Sequence, residues 1–151
     1  VSFKTTYPED EEPVWELQIE TELSYQSEDV ITIAISTYEF KGGAHGSDKI
    51  TFLNLNAITG DVLYQKDIIT NLDKFKTLAE TYFKQSLKAE NAHLKMEDFF
   101  FGKPFQLPEN MGFSADGLVL LYNVYEVASY AQGYTEFVIP FDEVQDYLKV
   151  N

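Results

Sequence analysis

Residues 15–41 read Trp-Glu-Leu-Gln-Ile-Glu-Thr-Glu-Leu-Ser-Tyr-Gln-Ser-Glu-Asp-Val-Ile-Thr-Ile-Ala-Ile-Ser-Thr-Tyr-Glu-Phe-Lys, and this stretch decides the fold class. From Trp15 to Tyr25 the chain alternates strictly. Trp15, Leu17, Ile19, Thr21, Leu23 and Tyr25 fall on one side, and Glu16, Gln18, Glu20, Glu22 and Ser24 on the other. Side chains of an extended chain point to opposite faces with period two, so the pattern predicts a half-exposed β-strand. After the polar break Ser27-Glu28-Asp29, a second strand is expected from Val30 to Lys41. Ile31, Ile33 and Ile35 share one face of it, with Thr32, Ala34, Ser36 and Tyr38 on the other. Two such runs joined by a short polar break pair antiparallel.

Beyond this hairpin, Gly42, Gly43, Ala44, His45 and Gly46 form a glycine-rich connection. At least one of these glycines is expected at positive φ, and Gly43 is read as a position where valine would harm the fold. A third strand follows at about Lys49 to Ala57. Thr59-Gly60-Asp61 is a turn, and Val62 to Gln65 a short strand candidate. A helix is expected near Thr70, which with Asp73 matches a capping box. Its apolar stripe is Leu72, Phe75, Leu78, Ala79, Tyr82, Phe83 and Leu87. Met96 to Pro108 is irregular, with Phe99, Phe100, Phe101 and Phe105 read as a satellite core. Met111–Ser114 and Leu118–Tyr125 flank the turn Ala115-Asp116-Gly117 as a hairpin. Leu118 to Tyr122 is apolar on both faces, which places it centrally. Tyr134–Phe141 is the last strand, and Phe141–Leu148 a short closing helix packed through Val144, Tyr147 and Leu148. The expectation is one α+β domain over residues 1–151: a mostly antiparallel sheet, one long amphipathic helix on one face and a short C-terminal helix. Residues 1–13, rich in acids and proline, are read as an arm or loop.

Composition narrows the partners. The 151 residues carry 25 acids and 11 bases, a net charge of −14, and every base is lysine. Without arginine there is no planar fork for phosphate or guanine, and the negative field repels polyanions. Nucleic acid and anionic membrane surfaces are therefore excluded as expected partners. Residues 1–40 hold ten acids and one lysine and residues 108–151 seven acids and one lysine, whereas residues 41–107 hold eight acids and nine lysines. Acidic ends suit solubility, and they also suit a cationic partner. No apolar run approaches the roughly 20 residues a spanning helix needs. The chain opens on Val1 and not Met, which is compatible with a removed signal or an upstream lipid anchor.

The search for chemistry finds little. Cysteine is absent, so thiolate catalysis and cysteine-bound zinc are excluded. No nucleophile elbow, phosphate loop, dinucleotide fingerprint or zincin motif is present. His45 and His93 are the only imidazoles, and Asn54 to Asp61 only faintly suggests a calcium loop, with Ile58 where an oxygen ligand belongs. No metal, cofactor or catalytic residue is assigned. Two constellations are singled out for binding, the first against its reading as a structural turn and the second against ordinary strand packing. One is Gly42, Gly43, Ala44, His45 and Gly46, where exposed amides and an imidazole approach a ligand closely. The other is Tyr122, Tyr125, Glu126, Tyr130 and Gly133, in a tyrosine-rich stretch that also holds Tyr134. Tyrosine is a favoured interface anchor because it offers a large area with little entropy to lose.

Several stretches resemble one family: Tyr38-Glu-Phe-Lys-Gly-Gly-Ala-His45-Gly, Leu53-Asn-Leu-Asn-Ala-Ile-Thr-Gly60-Asp-Val-Leu, Tyr122-Asn-Val-Tyr-Glu126 with Tyr130-Ala-Gln-Gly133, and Val138-Ile-Pro-Phe-Asp-Glu-Val144. They resemble the extracytoplasmic domain of RsiV-type anti-sigma factors, found also in PdaC-type polysaccharide deacetylases and many bacterial lipoproteins. The likeness covers roughly residues 30–148. It implies an α+β domain outside the cytoplasmic membrane, and in RsiV itself a receptor for lysozyme. It carries no catalytic residues, because the deacetylase chemistry sits in a separate domain. This chain lacks a sigma-binding part and a membrane segment, so the resemblance supports fold and location better than lysozyme sensing. The expectation is a non-catalytic binding or sensing module of the bacterial envelope, with a basic, lysozyme-like protein or a cell-wall glycan as partner. The alternative is a peptidoglycan- or polysaccharide-acting enzyme or accessory domain, because carboxylate pairing is a spatial fact.

Overall fold

The computed structural model describes residues 14–90, 95–124, 126–127 and 133–151. Strands β1 (Glu16–Gln26), β2 (Val30–Phe40) and β3 (Ser47–Asn56) form one antiparallel sheet in the order β1-β2-β3. The alternation read from the sequence holds up to Leu23, which faces Ile33. Tyr25 then faces Thr32, so Ser24 is an extra residue in β1. This bulge moves Tyr25 off the face that carries Leu17, Ile19 and Leu23. Its ring packs instead on Phe113 and Phe141, at 5.4 and 5.7 Å between centroids. A single inserted residue changes which face the strand presents.

Strands β4 (Met111–Phe113), β5 (Gly117–Tyr122) and β6 (Thr135–Pro140) form a second antiparallel sheet with β5 in the middle. The single expected sheet is thus two. As its doubly apolar pattern predicts, every residue of β5 is buried. Short helix α1 (Gln65–Ile68) replaces the strand expected at Val62–Gln65. Only Val62 pairs, in an isolated bridge to Leu55, and the Asp67 carboxylate accepts from the Tyr64 amide to start the helical turn. Helix α2 (Leu72–Glu90) is the long helix. Its cap is Asn71, whose side chain accepts from the Lys74 amide, whereas Thr70 donates its hydroxyl to the Tyr147 carbonyl. Phe75, Ala79, Phe83 and Leu87 are its buried stripe; Leu72 is exposed at the first turn. Helix α3 (Phe141–Val144) and a 3-10 turn at Gln145–Tyr147 close the chain.

Phe83 is the centre of the core. Its ring meets Phe99, Phe100, Phe105, Tyr122 and Phe137 at centroid distances of 5.3–6.0 Å. Phe99, Phe100 and Phe105 therefore belong to the main core and not to a satellite, and Phe101 is exposed. Among the described residues no helix is long and apolar enough to cross a membrane.

The sheets are joined by polar side chains that close each other's open edges. Ser24 donates to the Phe113 carbonyl (2.7 Å), Thr32 accepts from the Phe113 amide (3.3 Å), and Asn54 donates to the Met111 carbonyl (2.8 Å). The edge of β4 thus lies against the inner face of the first sheet. In return Asn110 accepts from the Phe52 amide and donates to the Ile50 carbonyl, both at 2.8 Å. Asn123 accepts from the Ile50 amide and donates to the same carbonyl, again at 2.8 Å. A strand edge buried without such partners would leave unsatisfied amides and carbonyls. Thr32, Asn54 and Asn123, the three buried polar residues among the described ones, all serve this seam.

Candidate functional site

Strands β1 to β3 are 11, 11 and 10 residues long, against six for β5 and β6. At about 3.4 Å per residue, the first sheet outreaches the second by more than 10 Å. The seam occupies the Thr32–Asn54 end of the inner face, so the other end overhangs. There Gln18, Tyr38 and Asp48 are in register across the three strands, as are Glu20, Ser36 and Ile50. These residues are the floor of an open groove of about 970 Å³. His45 and Gly46 close one side of it, and Asn123, Val124, Glu126, Gly133 and Tyr134 the other. A second hollow of about 580 Å³ shares Lys49, Asn123 and Glu126 with it and continues along β3 past Asn110.

The two constellations singled out in the sequence, about 80 residues apart, meet at this groove through His45, Gly46, Glu126 and Gly133. Gly42 takes positive φ (79°), as expected for the connection. Gly43 does not carry the constraint expected of it, because a side chain there would meet nothing within 4 Å. Gly46 is the crowded position: a Cβ would collide with Cε2, Cζ and the hydroxyl of Tyr38, so the glycine leaves room for the end of that ring. Gly42, Gly43 and Ala44 are exposed and lie outside the groove lining.

Glu126 is held in a reciprocal pair with Asn123, its carboxylate accepting from the Asn123 amide and its own amide donating to the Asn123 carbonyl. Gly133 adopts positive φ (67°) where the chain re-enters β6. Tyr122 stands in the core at 2% exposure, its hydroxyl donating to the Gln106 carbonyl. Burial, reinforced by the Glu126 carboxylate, pushes its hydroxyl pKa well above the usual tyrosine range. It braces the groove wall from behind. Tyr125, Tyr130 and His93 lie outside the described residues. The residues not singled out in the sequence are Glu20, Tyr38, Asp48, Lys49, Asn110 and Asn123. Strand alternation puts Glu20, Tyr38 and Asp48 on one face, but only the register shows them to be neighbours.

Glu20, Asp48 and Glu126 line the groove, Tyr38 and Tyr134 add aromatic surface, and Lys49, in register with Thr37, alternates onto the opposite face of the sheet. Among the described residues no group of three His, Asp or Glu side chains is placed to hold a metal ion. The segment suggesting a calcium loop is the end of β3 followed by a turn: Asn56 accepts from the Ile58 and Thr59 amides, and Thr59 donates to Asp61.

The same fold is found in two crystal structures of DUF3298 family proteins. The one from Pseudomonas aeruginosa PAO1 is 27% identical with a TM-score of 0.75, covering 89% of this chain and 62% of that one. The one from Bacteroides fragilis is 26% identical with a TM-score of 0.72, covering 89% of this chain and 54% of that one. The chain thus spans less than two thirds of either structure. No curated protein matches it. Residues 63–142, more than half of the chain, match the family described as "Protein of unknown function (DUF3298)", from the end of the β3 turn to α3 and including the wall residues Asn123, Val124, Glu126, Gly133 and Tyr134. The chain belongs to the DUF3298 family.

Proposed function

We propose that this domain is a non-catalytic binding module on the extracytoplasmic side of a bacterial envelope, and that its groove takes a cationic segment of a protein partner. The observation that carries the reading is the overhang, where three carboxylates line an open groove beside two tyrosine rings. An open acidic groove of this size accepts an extended basic chain, and the net charge of −14 extends the attraction beyond contact. The extracytoplasmic location, with or without a lipid anchor, is supported by the RsiV-type resemblance. Two stretches that carry that resemblance, Tyr38–Gly46 and Tyr122–Gly133, are the ones whose described ends meet at the groove. Lysozyme, a strongly basic protein, is the first partner to try. A cell-wall glycan is the second, favoured by the Tyr38 and Tyr134 rings beside amide and hydroxyl groups.

Surface-capture kinetics with the immobilised domain test both. Lysozyme is expected to bind saturably at low salt. Its association rate should fall steeply from 0.01 to 0.15 M salt, as the screening length shrinks from about 30 to about 8 Å. The dissociation rate should change less. Exchanging exposed carboxylates of the floor, Glu20→Gln with Asp48→Asn, should slow association without altering melting. Absence of saturable binding at low salt would refute the lysozyme reading. Salt-independent association would refute steering, and saturable binding of soluble peptidoglycan fragments alone would favour the glycan.

A further inference from the structure

The outer face of the first sheet points away from the groove. Leu17, Ile19 and Leu23 of β1 stand there at 57–61% exposure. The register sets Leu23, Ile33 and Leu53 in one row, and Ile31 opposite Leu55 in the next. Residues directly opposite on paired strands share a face, so these rows make one continuous apolar surface. Val62, also exposed, extends it through its bridge to Leu55. Strands of this length and spacing, about 3.4 Å per residue and 4.8 Å apart, give a sheet face of roughly 35 by 14 Å, or about 500 Å² per copy, with the apolar rows at the Leu23 end and Thr37, Glu39, Ser47 and Lys49 at the other. Isolated apolar side chains on a surface need no explanation, whereas a contiguous patch of this size marks an interaction site.

We propose that this face pairs with the same face of a second copy of the chain, forming a two-layer sandwich of six strands. Charge selects the occupant. Glu16, Gln18, Glu20 and Glu22 alternate onto the opposite face, and within the paired strands the charged residues on the apolar side are Glu39 and Lys49, one of each sign. Such a neutral face offers nothing to a strongly basic or acidic partner, and a net charge of −14 repels an anionic lipid surface. Self-pairing buries about 1,000 Å² over both copies before side-chain relief is added, the size at which a specific interface begins. Two flat antiparallel sheets stack at about 10 Å. The grooves stay open, because they lie on the inner faces.

Sedimentation velocity from 1 to 200 µM protein, roughly the range over which an interface of this size assembles, tests the proposal. The expected mass rises with concentration toward twice the 17.3 kDa of one chain. The midpoint should move to lower concentration as salt rises, because screening relieves the repulsion between two acidic copies. This is the opposite of the salt effect expected at the groove. Ile19→Lys with Leu23→Lys, both at exposed positions, should weaken association by at least about 30-fold with melting retained; Leu72→Gln, at an exposed apolar position on α2, should leave it unchanged. The chain has no cysteine, so Thr21→Cys supplies a unique spin-label site on the face, and label–label dipolar coupling is expected in the dimer. A monomer at the highest concentration, association that survives the double lysine variant, or an associated species without dipolar coupling would overturn the proposal.

Discussion

Replacing Asn123 by leucine removes both hydrogen bonds that its side chain makes to Ile50, while the branching at Cγ is kept. The amide of Ile50 then has no partner from the seam, since Asn123 is its acceptor. Its carbonyl keeps the bond from Asn110 and loses only the second donor. An unpaired amide at a largely buried seam costs about 1–3 kcal/mol, and the lost second bond about 1 kcal/mol, so the expected loss is roughly 2–4 kcal/mol. For a domain of this size that lowers melting by about 5–15 °C. Asn123→Asp separates hydrogen bonding from packing. At neutral pH a carboxylate oxygen replaces the donor that faced the Ile50 carbonyl, and a charge sits where asparagine is 7% exposed. Once protonated, the same oxygen donates to that carbonyl. The folded form therefore binds its proton more tightly than an unfolded aspartate, whose pKa is about 3.9. The folded state holds more protons in the window above that value, and the deficit relative to wild type shrinks as pH falls from 7 toward 4. Thermal and urea melts at three pH values measure it. A leucine variant melting within a degree of wild type, or an aspartate deficit that does not change with pH, would refute the account of Asn123 as a stand-in for a strand.

At the glycine-rich connection, Gly42→Val is expected to cost about 1–2 kcal/mol because of its positive φ, whereas Gly43→Val should stay within about 0.5 kcal/mol of wild type. Chemical melts of the two variants side by side check this, and equal losses would contradict it. Tyr122→Phe should cost about 1 kcal/mol at neutral pH through the lost bond to Gln106. Folded Tyr122 keeps its proton while an unfolded tyrosine releases it above its ordinary value of 10.0, so stability falls as pH rises past 10. The phenylalanine variant lacks that component, and the gap between the two proteins should narrow between pH 9 and 11. Parallel curves would show that Tyr122 titrates in the fold as it does in the unfolded chain.

Periodicity made the strands and the long helix legible, because both follow from which side chains face the core. It could not show that six strands form two sheets, since alternation gives a strand two faces without naming its neighbours. The outer row Leu17, Ile19, Leu23 looked like a core face for the same reason: apolar alternation specifies a surface that wants covering, and no covering element lies within the described fold. The Ser24 bulge was hidden inside a perfect alternation, because the insertion is visible only against the register of β2. Phe101 reversed its expected place, and Tyr122 took the central-strand position and not the binding one. The turn at 100–102 throws one phenylalanine of the run out to solvent, and the hydroxyl of Tyr122 finds a carbonyl inside the core. The groove was half legible. Its Gly-Ala-His-Gly and Glu126–Gly133 pieces stand out as motifs, but the acids of the floor look like any solvated strand face until the overhang is known. Asn110 and Asn123 carried no signal beyond being polar residues beside an apolar run.

The overhang separates two kinds of change. Its floor is woven into a three-stranded ladder, so the spacing of Glu20, Tyr38 and Asp48 is set by backbone pitch and stays put when a ligand arrives. Its walls include His45, Val124 and Tyr134, which lie outside the buried core, whereas Val127, between β5 and β6, belongs to it. Substitutions at His45, Val124 or Tyr134 can therefore re-tune what the groove accepts while the hydrophobic interior around Phe83 is left alone. Under the proposed binding role, a scaffold built this way moves from one ligand to another in small steps that leave the fold intact.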